Sequence, residues 1–180
     1  MSIEVKFNDL PKQYQKIRNE LTKSFINIHK KGDYINGYEV VKFEKKLQRY
    51  LNVKHVITCG NGTDALQIAI MSLNLKQGDE VIIPAFSYVS VIEVVCILGL
   101  VPVLVDIDPL TFNLDPKKIK GALSSKTKLI IPVHLFGQNS DMESIMNINQ
   151  DIMFYWKMIK HTLGYVFKNF HLKYSTPEIK

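Results

Sequence analysis

Residues 58–66 read TCGNGTDAL. They join an apolar run, His55–Cys59 (HVITC), to a helix-patterned one, Asp64–Leu73 (DALQIAIMSL), and this junction decides how the chain is read. The pattern predicts a strand, a tight turn and a helix. Gly60 and Gly62 let the backbone turn sharply and approach a ligand closely. Thr63 and Asp64 then open the helix, whose free N–H groups and dipole favour an anion. One reading is a phosphate held by backbone amides and the Thr63 hydroxyl. The other is a glycine-rich turn with Thr63 or Asp64 as a plain N-cap. The loop is not of the Walker type, because no Gly-Lys-Ser/Thr follows. Nor is it the common dinucleotide fingerprint, because the G-x-G-x-x-G spacing fails at Ala65.

The same alternation continues downstream. Strands are predicted at Glu80–Ile83, Val101–Asp106 and Lys128–Val133. Helices are predicted at Ser87–Leu98, Pro116–Leu123 and Met142–Ile148, the second capped by Asp115 and the third by Ser140 or Asp141. Upstream, residues 13–30 carry Ile17, Leu21, Phe25 and Ile28 at near-helical spacing and end at Gly32. Residues 38–51 form a second helical pattern through Val41, Phe43, Leu47 and Leu51. Apolar strands alternating with helices predict an α/β three-layer sandwich with a mostly parallel sheet. Residues 81–105 are apolar enough to raise a membrane span. Pro84, Ser87, Ser90, Glu93 and Pro102 interrupt the run, and buried strands around a buried helix explain it better.

At 180 residues the chain is long enough for one domain with a real core, and 46% hydrophobic content excludes disorder as the main state. Two distant cysteines, Cys59 and Cys96, exclude a disulfide scaffold and a cysteine-rich zinc module. The N-terminal MSIEVKFNDL lacks the build of a signal peptide, so the cytoplasm is expected. The net charge of +6 divides evenly. Residues 1–150 hold 18 basic and 15 acidic residues, and residues 151–180 hold five and two. Those last 30 residues also hold seven of the 18 aromatics and no alanine. Half the basic excess therefore lies in a compositionally foreign tail, which weakens nucleic acid as a partner.

Three further stretches could carry chemistry. Residues 84–90, PAFSYVS, follow a strand, where open parallel sheets gather ligands, so Phe86 and Tyr88 could stack on a planar ring or pack beneath a loop. Asp106-Ile107-Asp108-Pro109 pairs two acids at a strand end; capping and turn formation are favoured over metal binding. His134, in PVHLFGQ, is favoured as a hydrogen-bonded structural residue over a catalyst.

Taken in order, GDYINGYEVVKFEKKLQRYLNVKHVITCGNGTDALQIAI, GDEVIIPAFSYVS, PVLVDIDPLTFNLDPKKI and TKLIIPVHLFGQNSDMESI resemble the N-terminal half of the DegT/DnrJ/StrS family of sugar aminotransferases. The resemblance runs over roughly residues 5–148. It implies part of the large domain of a fold type I pyridoxal-phosphate enzyme. The implied reaction aminates a keto group on a nucleotide-linked sugar, of the 3-keto hexose or 3-keto glucuronate type, with glutamate as amino donor. It also implies a homodimer; the charge distribution and the interrupted apolar run already leave no nucleic acid and no membrane expected as partners. By the same resemblance, Gly62, Thr63 and Asp64 match the loop that holds the cofactor phosphate, and Tyr88 the aromatic that stacks on its ring. Tyr34 and Asn36 match a segment near the sugar and the dimer partner.

Family chemistry further needs a lysine to carry the cofactor and a carboxylate to pair with its pyridinium nitrogen. Neither motif is readable here, so no catalytic residue and no metal ligand is assigned. After Asn147 the resemblance stops. Back-translating Phe154–Ile159 and reading from the third base of each codon yields Leu-Leu-Glu-(Asp or Asn)-Asp whatever the synonymous choices, an apolar strand ending in acids as the family would place next. Residues 1–148 are therefore expected to be the family's large-domain part. Residues 149–180 are expected to be an atypical tail, frame-shifted or truncated, and the chain inactive alone. The alternatives are a related pyridoxal-phosphate sugar dehydratase and a non-catalytic remnant or binding domain.

Overall fold

The computed structural model describes residues 8–148 and two short strands, Met153–Phe154 and Lys157–Met158. The described chain divides into two units, residues 1–56 and 57–180.

The first unit is a helical pair. α1 (Leu10–Lys31) starts at Asp9, whose carboxylate accepts from the Lys12 amide, with a proline in its first turn. It stops at Gly32, which takes a left-handed φ of 66°. His29, Lys30 and Lys31 crowd its last turn, where the helix dipole favours cations. α2 (Tyr38–Leu51) ends at Asn52, also left-handed. Both helices lie where the residue periodicity predicts them. Neither buries a residue fully, and α1 shows Tyr14, Ile17, Leu21 and Phe25 to solvent along one stripe.

The second unit is a layered α/β domain. α3 (Gly62–Met71) leads to β1 (Glu80–Pro84). α4 (Ser90–Ile97), β2 (Val101–Val105), α5 (Pro116–Ala122), β3 (Thr127–Ile130), β4 (Val133–His134), α6 (Met142–Met146), β5 (Met153–Phe154) and β6 (Lys157–Met158) follow. The main sheet runs β2–β1–β3–β5 with every pairing parallel; β4 and β6 form a second, two-stranded parallel pair.

Alternating side chains divide the core into two halves. Val81, Ile83, Leu129 and Ile131 face α3 and α4, against Leu66, Ile70, Val91, Val94 and Val95. Ile82 and Ile130 face the other way, against Leu114, Ile119 and Ile145. A period-two strand buried on both faces reads as a continuous apolar run, which is why VII and LII carry no polar residue. The result is the expected three-layer sandwich.

Three local expectations are corrected. His55–Cys59 forms no strand among the described residues; Ile57 is 80% exposed, and an extended segment needs a neighbour to make a ladder. The predicted strand Lys128–Val133 breaks into β3 and β4 around Pro132, which has no N–H to give. α4 begins at Ser90 rather than Ser87, so residues 85–89 are free to form a loop beyond β1.

Candidate functional site

The junction at residues 58–66 is a self-capped helix start. The cap is Asn61, not Thr63 or Asp64. Its Oδ1 accepts from the Thr63 amide at 2.9 Å and the Asp64 amide at 3.0 Å, and its Nδ2 donates to Asp64 Oδ2 at 2.9 Å. Asp64 folds back over Gly60, where an added Cβ would come within 2.7 Å of Oδ2. A side chain at residue 60 would therefore push the Asp64 carboxylate aside. Gly62 is buried, while Thr63 and Asp64 are half-buried. Two amides thus already converge on one acceptor oxygen, which is the donor set an anion would use.

α3 precedes β1 in the chain, and the loop leaving β1 lies at the carboxyl end of that strand. That loop shows Phe86 and Tyr88, which is 66% exposed, to solvent. The alternative in which both rings pack beneath a loop is not what forms. Beside Tyr88, the hydroxyls of Ser87 and Ser90 are buried without a hydrogen-bond partner, although Ser90 is 2% exposed. Buried hydroxyls without partners are uncommon.

Beyond the next strands the chain is built for rigidity. Asp106 pairs with Lys118 at 2.8 Å; the bond holds its carboxyl below the usual range and raises the Lys118 ammonium. Asp108 accepts from the Leu110 and Thr111 amides, which likewise lower it. The acid pair is structural, and among the described residues no group of His, Cys, Asp and Glu could hold a metal. His134 is buried, and its Nδ1 accepts from the Ser140 amide at 2.9 Å; burial pushes its pKa down. It too acts as a structural residue.

Sequence reasoning missed Asn113. Buried at 3% exposure, it accepts from the Leu135 amide at 3.1 Å and donates to the Gln138 and Asn139 carbonyls at 3.3 Å each. A single asparagine in a loop has no periodic signal to betray this. Next to it Phe112, and within the loop it clamps Phe136, take left-handed φ values of 59° and 54°. Their rings lie 6.5 Å apart, and Phe86 is 6.0 Å from Phe112.

Tyr34 and Asn36 lie in the first unit. Tyr34 is exposed and meets the His29 ring edge-on at 5.4 Å; Asn36 has a φ of 50°. Gly62, Thr63, Asp64 and Tyr88 share the second unit.

An open α/β domain with an anion-ready helix start and an exposed ring on the neighbouring loop defines a class of cofactor-binding domains. Within that class, residues 15–155 match the DegT/DnrJ/EryC1/StrS aminotransferase family, and the chain belongs to it. It is 45% identical over 141 residues to the UDP-2-acetamido-2-deoxy-3-oxo-D-glucuronate aminotransferase of Pseudomonas aeruginosa, a match covering 78% of this chain and 39% of that one. It is 46% identical over 112 residues to the GDP-perosamine synthase of Caulobacter vibrioides, covering 62% and 30%. Among solved structures, a DegT DnrJ EryC1 StrS aminotransferase from Brucella abortus superposes with a TM-score of 0.76 at 36% identity, over 86% of this chain and 43% of that one. NtdA of Bacillus subtilis, with its cofactor PMP bound, gives 0.76 at 36% identity, over 87% and 37%. The chain spans about two fifths of the length of these relatives. The fold expected from the resemblance, part of a pyridoxal-phosphate aminotransferase, is the fold observed.

Proposed function

We propose that the chain is part of a cytoplasmic pyridoxal-phosphate aminotransferase that acts on the keto group of a nucleotide-linked sugar, of the 3-keto hexose or 3-keto glucuronate type. Glutamate is the amino donor and a homodimer the complete enzyme. The observation that carries this reading is the helix start at Asn61–Asp64, where two amides converge on one acceptor oxygen, in a chain that belongs to a family of aminotransferases. The residues present fit the cofactor: an acceptor oxygen already bridges the Thr63 and Asp64 amides, and two unpartnered hydroxyls flank Tyr88.

In this reading Gly62, Thr63 and Asp64 hold the phosphate at the head of α3, with Asn61 Oδ1 giving way to a phosphate oxygen. Tyr88 fixes the plane of the ring by stacking. Tyr34 and Asn36 lie near the sugar. When bound, pyridoxal phosphate supplies a reactive carbonyl and an electron-accepting ring for amino transfer. This chain's contribution is to bind and orient; no group in it is assigned the proton transfers, which fall to a lysine not read here. Residues 149–180 are proposed to be an out-of-frame tail. Sequencing the encoding DNA tests that point, and a downstream alternative frame without a serine-phenylalanine-lysine segment sinks it.

Absorbance and fluorescence titration with pyridoxal phosphate tests the site. Saturable binding is expected, weakened about tenfold by Thr63→Val and by Tyr88→Ala. Binding left unchanged by both substitutions overturns the site assignment.

A further inference from the structure

We propose that Phe112 is a positioning residue for the loop that carries Tyr88: the Asn113 clamp holds its ring, and the ring braces Phe86. The proposal rests on the reading that Tyr88 stacks on the cofactor ring, and it adds residues which that reading does not use.

Phe112 stands where a phenylalanine is costly. Among the described residues, five that are not glycine take a positive φ. Asn36, Asn52 and Asn74 are asparagines, whose short polar side chain tolerates the left-handed region. Phe112 and Phe136 are the other two, and a bulky side chain there crowds its own backbone. The two strained residues also meet, ring edge to ring face, at 6.5 Å. Strain of this kind persists only where the surroundings over-determine it.

The surroundings do so here. The Phe112 amide donates to the Asp108 carbonyl at 2.8 Å, and the Asp108 amide donates to the Asn113 carbonyl at 2.9 Å. The Asp108 carboxylate closes the same turn on the Leu110 and Thr111 amides. The Asn113 carboxamide then grips the backbone of Leu135 and Gln138, on either side of Phe136.

Burial is not what the strain achieves, since Phe112 stays 45% exposed and Phe136 80%. What it fixes is direction. The Phe112 ring is aimed at Phe86, 6.0 Å away and tilted by 47°, a separation at which aromatic pairs attract. Phe86 stands two residues before Tyr88 in the loop leaving β1. That loop has few other anchors. At its start the Ala85 amide donates to the Val105 carbonyl at 2.8 Å. Further on, Val89 caps α4 without a side-chain hydrogen bond, and the Ser87 hydroxyl has no partner. The Phe86–Phe112 contact is thus the lateral support of the segment that presents Tyr88. A loop fixed before its ligand arrives spends less binding free energy on ordering.

Two measurements on the full chain test the brace. The main variant is Phe112→Asn, which suits the left-handed backbone and lacks the ring. The first measurement is chymotrypsin cleavage after Phe86 and Tyr88 without cofactor, followed by mass spectrometry. Phe112→Asn is expected to speed it about threefold or more, because the loop opens locally. The second is circular dichroism in the absorption band of pyridoxal phosphate, an achiral molecule that gains a signal only when the protein holds it in one orientation. Phe112→Asn is expected to lose about half or more of that signal per bound cofactor, as an aromatic contact is removed. Phe112→Tyr, which keeps the ring, is expected to match the wild type in both. The urea midpoint of Phe112→Asn is expected to hold or rise, because backbone strain is relieved. A purely structural role would instead lower stability and orientation together, so a fall in midpoint alongside both changes overturns the proposal. Unchanged cleavage overturns it, and so does unchanged dichroism in a chain whose wild type binds the cofactor. In that last case the brace fails and the aminotransferase reading stands. A wild type that does not bind pyridoxal phosphate sinks that reading instead, and cleavage alone then decides the brace.

Discussion

His134 is kept neutral by its surroundings, and this fixes the sign of one pH effect. Its Nδ1 is an acceptor for the Ser140 amide, and burial lowers its pKa. The unfolded chain, with an ordinary histidine near 6.5, takes up the proton first. Stability is therefore full above that range and declines as pH falls through it toward the depressed native value, by at most about 1.4 kcal/mol per pH unit. Urea unfolding midpoints at pH 7.5, 6.5 and 5.5 measure the slope, and His134→Gln should flatten it. Asn113 is the second decisive residue. Its carboxamide closes three bonds to the 135–139 loop, so Asn113→Ala leaves the half-buried Leu135 amide unpaired and should cost about 1–3 kcal/mol in denaturant unfolding. The sequence makes His134 visible because histidine at a strand end invites attention. Asn113 is invisible there because its partners lie more than 20 residues away.

The helices and strands were legible wherever local chemistry decides them. Gly32 and Asp115 mark helix ends in the chain as they do in the fold, and α2 occupies the span its periodicity predicts. Misreadings arose where the outcome depends on a neighbour. His55–Cys59 has the composition of a strand, but a strand needs a ladder. At α3 the sequence offers Thr63 or Asp64 as the cap, and the geometry puts it at Asn61 instead. Asn61→Ala should cost about 1 kcal/mol, read from the shift in urea midpoint. Gly60→Ala should displace the Asp64 carboxylate from Asn61 Nδ2, visible as a change in the Thr63 and Asp64 amide resonances.

Across the whole chain, apolar surface left in solvent is the dominant fact. β2 is an edge of the described sheet, and Leu104, in register with Ile83, faces the α3–α4 side yet is 55% exposed. Ile97 on α4 and Met71 on α3 are also exposed. Such an edge pairs readily with another chain. Leu104→Lys should lower self-association, measured as the concentration at which light scattering rises; no change would assign the association to other surfaces. No described helix is long and apolar enough to cross a membrane, so these faces are not a bilayer span. Composition cannot distinguish a face that a fold covers internally from one left open, and the sequence therefore predicts the core well and this surface not at all.

The carboxamide of Asn61 is a placeholder. Because its Oδ1 already bridges the Thr63 and Asp64 amides, the loop does not have to be ordered when a ligand arrives. Binding becomes an exchange of one oxygen for another in a mould already set. The step that must precede it is a side-chain rotation, of picosecond-to-nanosecond scale, rather than the closing of a loop. Association should then be limited by diffusion and charge, and the ionic strength of the medium, more than the temperature, should govern its rate.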